Sequence, residues 1–259
     1  MELTGAGSIA PRPADDRDEV TWGGRHVLFG GLLILLILVL VNLLVWPIID
    51  RYGEESDQAQ RALYIADLAG RIVVVLAIFY MAGGGDVAWR RLGLRWPDGL
   101  TLSRAAGLVG MGFLTAWIAL ASYGFIVDAL GIDSLKPSGQ IEDRVFDDTI
   151  LVILLGISVV VSAPITEELF FRGFMFAGVR RSWGFWPALL ISSVIFGLAH
   201  TQTGDDGVEL GLIIPTGIIA AILAVSYQRS QTLYVPFGIH LVFNLVSFVV
   251  LVLYPAGRG

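Results

Sequence analysis

Residues 149–181 read T-I-L-V-I-L-L-G-I-S-V-V-V-S-A-P-I-T-E-E-L-F-F-R-G-F-M-F-A-G-V-R-R. The run is long and apolar enough for a helix that crosses a bilayer core, which takes about 20 residues. In its middle stand Glu167, Glu168 and Arg172. A charged side chain at the centre of a membrane helix costs about 2.5–3.5 kcal/mol on insertion scales. Three of them within six residues point to a functional site rather than to packing.

The rest of the chain has the same character. Of 259 residues, 55% are hydrophobic and only 15% charged, where a soluble domain carries about a quarter; the mean hydropathy is +0.74. The apolar residues fall into blocks, which predict spans over 27–49 (ended by Pro47), 62–82, 102–130, 149–181, 186–200, 210–227 (kinked at Pro215) and 233–254. The expected fold is an all-α polytopic membrane helix bundle of seven transmembrane helices, or eight if 149–181 breaks at Pro164. Residues 1–24 read as a flexible polar tail, and 25–259 as one membrane-embedded domain whose motifs lie in 163–244. Residues 89–95 form a basic connector, and 131–148 an acidic loop with turn signals at Pro137 and Gly139. There is no cysteine, which excludes disulfides, thiol nucleophiles and Cys-ligated metals. The net charge of −6 sits in loops and gives no nucleic-acid surface. With the N-terminus inside, ten Arg or Lys fall in inner loops and five in outer ones. That favours a multi-pass protein of the cell membrane with its N-terminus cytoplasmic.

Four polar groupings stand out within the spans. Asp67 and Arg71 are four apart, share a helix face and can neutralise each other, so a structural salt bridge is favoured over a catalytic role. Glu168 and Arg172 have the same spacing, whereas Glu167 points about 100° away. One carboxylate is thus expected to be paired and the other free, its pKa raised by desolvation into the range of a general base. Phe196 to His200 closes the fifth span, and His240 and Asn244 share a face early in the seventh. At about 1.5 Å per residue, Glu167, His200, His240 and Asn244 all lie roughly 17–22 Å from loops on one side of the bundle. A single polar cluster inside the membrane is expected.

The motifs E-E-x-x-x-R (Glu167, Glu168, Arg172), F-x-x-x-H (Phe196, His200) and H-x-x-x-N (His240, Asn244) stand in that order. In this the chain resembles the CAAX prenyl endopeptidase and bacteriocin-processing (CPBP, Abi) intramembrane proteases. The resemblance covers about the last 110 residues. It implies an endopeptidase that cleaves a membrane-associated peptide or protein substrate in contact with lipid, with Phe196 at the substrate. Two mechanisms suit these residues. In one, Glu167 and His200 activate a water while His240 and Asn244 stabilise the oxyanion. In the other, Glu167, His200 and His240 hold zinc. Asn is a poor zinc ligand and a good oxyanion donor, and H-E-x-x-H is absent, so the first is favoured. A non-proteolytic immunity or scaffold factor on the same fold is a further reading. So is a proton-linked transporter, although that would spread its charges over several depths.

Overall fold

A backbone in lipid has no water to bond, so each apolar block satisfies its own N–H and C=O groups by coiling into a helix. The computed structural model describes residues 20–136, 143–204 and 207–253. Helix α1 spans Gly24–Tyr52, α2 Asp57–Met81, α3 Gly85–Arg91 and α4 Leu102–Leu130. After them come α5 (Thr149–Trp183), α6 (Phe185–Ala199), α7 (Ile213–Ser230) and α8 (Tyr234–Leu253). Six of these are long and apolar enough to cross a membrane, and α6 is a shorter apolar helix. The protein is therefore an all-α, integral multi-pass membrane protein. The connection after α6 folds as a small antiparallel hairpin, β1 (Gln202–Gly204) against β2 (Gly207–Glu209), with Thr203 opposite Val208.

Local chemistry sets the helix ends. Ser56 caps α2 by accepting from the Ala59 N–H, and Thr101 caps α4 by accepting from that of Arg104. Asp148 caps α5 through the Ile150 and Leu151 amides and pairs with Arg61 of α2. That guanidinium, with the two amides, holds the Asp148 carboxyl below its usual range. Gly184, at φ +86°, turns the chain from α5 straight into α6.

Three expectations about proline are corrected. Helix α1 runs through Pro47 to Tyr52, because in lipid neighbouring groups and small local adjustments absorb one missing hydrogen bond. Pro215 does not stand inside a helix that starts at residue 210: it lies in the first turn of α7, where an N–H has no partner within the helix. Helix α5 does not break at Pro164, and the eighth span is not formed. Instead α5 widens into π-helical turns over Ile157–Ser162, just before the proline, and again over Glu168–Phe176. A widened turn shifts the bonding pattern past a residue that cannot donate. The connector also holds a helix, α3, that its basic composition did not suggest.

Of the expected tail, residues 1–19 lie outside the described residues. The stretch from Val20 to Gly23 is docked rather than free. Trp22 is buried, stacks on Phe174 at 5.2 Å and donates its indole N–H to the Phe174 carbonyl. Pro137, Gly139 and Tyr254 also lie outside the described residues.

The main buried cluster gathers Trp22, Ile78, Leu92, Phe171, Phe174, Phe176 and Leu233 around the second half of α5. Helix α4 packs on the far side against α7 and α8, with Ala105, Leu223 and Ile239 at the seam. Large apolar side chains such as Leu44, Tyr80 and Phe125 point outward, as the lateral surface of a bundle in lipid requires.

Candidate active site

Helix α6 has 15 residues, about 22 Å by its rise, which is short of the roughly 30 Å hydrocarbon core. Its last turn therefore ends inside the bundle, and His200 caps it there with φ −102° and ψ 6°. Helices α5 and α8 carry Glu167 and His240 to the same level. The result is a cavity of about 790 Å³ lined by Glu167, Phe196, His200, His240 and Asn244, with Arg71 and Asp67 of α2 and Thr216 of α7. Apolar residues of α1, among them Ile34 and Leu38, close one side. The common depth read from residue spacing is thus realised in space.

The two glutamates differ as their spacing predicts. Glu168 is buried, and its Oε1 accepts from Arg172 Nη1 at 2.9 Å. The same oxygen lies 2.9 Å from His240 Nδ1. Arg172, 1% exposed, also donates from Nη2 to the Ala220 carbonyl at 3.2 Å and lies 4.9 Å from the centre of the Phe196 ring. This group ties α5 to α7, α8 and α6.

Glu167 faces the cavity. Its Oε2 is buried without a hydrogen bond, 3.7 Å from His200 Nε2 and 3.9 Å from His240 Nε2. Its other oxygen, Oε1, lies 3.8 Å from Arg71 Nη1. It is therefore not without a charged neighbour, as spacing within α5 alone had suggested. Arg71 does pair with Asp67, donating from Nε at 3.0 and 2.8 Å. The sequence holds a signal for Arg71's place here, a charge inside a span, but on spacing alone the neighbouring Asp67 accounts for it.

Both imidazoles have their Nδ1 engaged. His200 Nδ1 lies 2.7 Å from the Phe196 carbonyl, which can only accept, so Nδ1 carries the proton. In the neutral ring Nε2 then offers its lone pair to the cavity. His240 is turned the same way by Glu168. Phe196 lines the cavity, but its ring is 2% exposed and stacks on His200 with centroids 4.3 Å apart. Asn244 does not bond to His240; it donates from Nδ2 to the Val159 carbonyl at 2.9 Å, within the first widened stretch of α5.

Glu167 Oε2 and the two Nε2 atoms are chemically a zinc donor set, but they stand wider apart than the ligands of a bound zinc ion. Tetrahedral coordination with bonds of about 2.0–2.1 Å puts ligand atoms about 3.3 Å apart, less than the spacing here. Among the described residues, no three His, Asp or Glu could hold a metal ion. Three acceptor sites facing one another suit a proton-bearing guest such as water, whose two O–H groups can bond to two of them.

Comparison with known proteins bears on the same region. Residues 149–246 match the model of a family described as type II CAAX prenyl endopeptidase Rce1-like; the match opens at the first residue of α5 and closes two residues past Asn244. Over 234 residues the chain is 28% identical to a Bacillus subtilis (strain 168) protein named "Putative membrane peptidase YdiL", covering 85% of this chain and 86% of that one. It is also 28% identical over 151 residues to an Escherichia coli protein named "Uncharacterized 24.3 kDa protein", covering 57% and 67%. No solved structure matches.

Proposed function

We propose that this chain, which belongs to the Rce1-like family through residues 149–246, is an intramembrane endopeptidase that hydrolyses a peptide bond with a glutamate-activated water. The family and its membrane-peptidase relative support a membrane protease of CAAX type; the residue roles are our own reading. One observation carries it: the unbonded Glu167 Oε2 faces two imidazole Nε2 atoms across a cavity.

A water between them donates one O–H to Glu167 and the other to His200 Nε2, which aims its oxygen at the scissile carbonyl. Glu167 takes the first proton as the water oxygen bonds to the carbonyl carbon. The resulting oxyanion accepts from the Asn244 amide N–H not used on Val159, while His240 Nε2 stands beside it as a further acceptor for the water. Glu167 then gives its proton to the amide nitrogen as the C–N bond breaks. Phe196, stacked on His200, holds that ring in place. Glu168 and Arg172 brace His240 from behind. No step passes through a metal. In this reading the protein sits in the cell membrane with its N-terminus cytoplasmic, the orientation that the arginine distribution favours, and its substrate is a membrane-associated peptide or protein.

The test uses the purified protein in proteoliposomes and an internally quenched farnesylated CAAX peptide. The wild type cleaves it; Glu167→Gln and His200→Ala lower kcat by about 10²–10⁴-fold while inserting normally. Wild-type rates in either variant would sink the assignment. 1,10-Phenanthroline leaves the rate unchanged, whereas inhibition reversed by zinc would favour a metal at Glu167, His200 and His240.

A further inference from the structure

Helix α2 lies outside the segment that matches the family, yet it brings two charged residues to the cavity. Asp67 and Arg71 need only each other to enter a membrane as a neutral pair. A third charge beside them, Glu167, makes the trio net negative, so neutralisation does not explain the contact. Their geometry is also anchored from outside α2. Ser158, in the first widened stretch of α5, donates its hydroxyl to Asp67 Oδ2 at 2.5 Å. Asp67 in turn holds Arg71 by Nε, with Nη1 left 3.8 Å from Glu167 Oε1.

We infer that Arg71 is a positioning residue for Glu167, set in place by Asp67 and Ser158. This rests on reading Glu167 as the carboxylate that activates water. A carboxylate is planar and rigid, so drawing Oε1 toward the guanidinium fixes where Oε2 points. Here it points between His200 Nε2 and His240 Nε2. At 3.8 Å the contact is an ion pair rather than a hydrogen bond, of a kind that tightens when substrate closes the cavity. Arg71 touches neither reacting atoms nor imidazoles in this scheme; it acts only through Glu167.

The experiment reads the histidines directly and so does not depend on the substrate. The chain has three histidines, few enough to assign in a ¹⁵N-imidazole spectrum of the detergent-solubilised protein. Arg71→Met and Glu167→Gln each displace the His200 and His240 signals, and adding Arg71→Met to Glu167→Gln displaces them no further. In proteoliposomes with the farnesylated peptide, Arg71→Met lowers kcat by up to about a hundredfold, as a misplaced group does. KM stays within about twofold of wild type, and Arg71→Lys recovers much of the loss. Unmoved histidine signals in Arg71→Met, additive displacements in the double variant, or a change confined to KM would overturn the inference. Should Arg71→Met not fold, Asp67→Asn carries the test, since it leaves the guanidinium present but unanchored. Unmoved signals there would likewise overturn it. If the histidines respond as expected while no peptide is cut, the protease reading fails and the positioning role stands.

Discussion

Glu167 and Glu168 are adjacent and chemically identical, yet the bundle treats them oppositely. Glu168 shares Oε1 between Arg172 and His240 and is buried among four helices. Glu167 keeps an unbonded oxygen at the cavity. The difference begins in helix geometry, since only Glu168 has an arginine four residues on. It is completed by α8, which brings His240 against Glu168. Removing one partner of a buried ion pair leaves the other charge uncompensated and costs about 3–5 kcal/mol, whereas replacing both is often close to neutral. Arg172→Met should therefore lower thermal stability in detergent sharply, and Glu168→Gln combined with Arg172→Met should restore part of it. A double variant no more stable than Arg172→Met alone would show that the two do not act as a buried pair.

At the scale of elements, the site depends on two departures from a regular span. The widened turns of α5 carry the chain past Pro164 and place the Ser158 hydroxyl and Val159 carbonyl toward α2 and α8. The shortness of α6 leaves His200 at the level of Glu167 instead of at a membrane surface. Helix α6 keeps its place by close approach to the start of α7. A Cβ on Gly197 would stand 2.5 Å from the Ile213 carbonyl oxygen, and a backbone atom cannot swing aside as a side-chain tip would. Gly197→Ala should thus destabilise the protein by about 1–3 kcal/mol and lower peptide cleavage by shifting His200, three residues on. Unchanged thermal stability and cleavage would mean that the α6–α7 approach is looser than described.

For the whole molecule, seven apolar helices put the ends of α1 and α8 on alternate sides in a fixed pattern. The turn after α7 and the α5–α6 junction share the side where α1 begins, and the α4–α5 connection lies on the other. Arginines crowd the first of these sides, with Arg90, Arg91, Arg95, Arg180 and Arg181 around one cavity of about 530 Å³. Positive-inside bias therefore predicts that this side is cytoplasmic. The absence of native cysteine makes the test direct. Arg229→Cys and Ser134→Cys, both at exposed positions, are labelled in right-side-out vesicles with an impermeant maleimide. Ser134→Cys should react at once, and Arg229→Cys only after the membrane is opened. The reverse pattern would invert the topology.

Much of this was legible in residue order alone. Blocks of about twenty apolar residues dictate membrane helices because an unbonded backbone is intolerable in lipid. The i, i+4 spacings of Asp67 with Arg71 and of Glu168 with Arg172 dictate local pairs, and both pairs form. Even the common depth of Glu167, His200 and His240 follows from counting rise per residue. Tertiary structure decided what lies between helices. Spacing within α5 cannot say that Arg71 of α2 reaches Glu167, because that contact needs the two helices side by side. Nor can it say that His240 turns Nδ1 to Glu168 while Asn244 takes the Val159 carbonyl. A helix fixes the direction of its own side chains; the partner each one meets is set by the neighbour that packs against it.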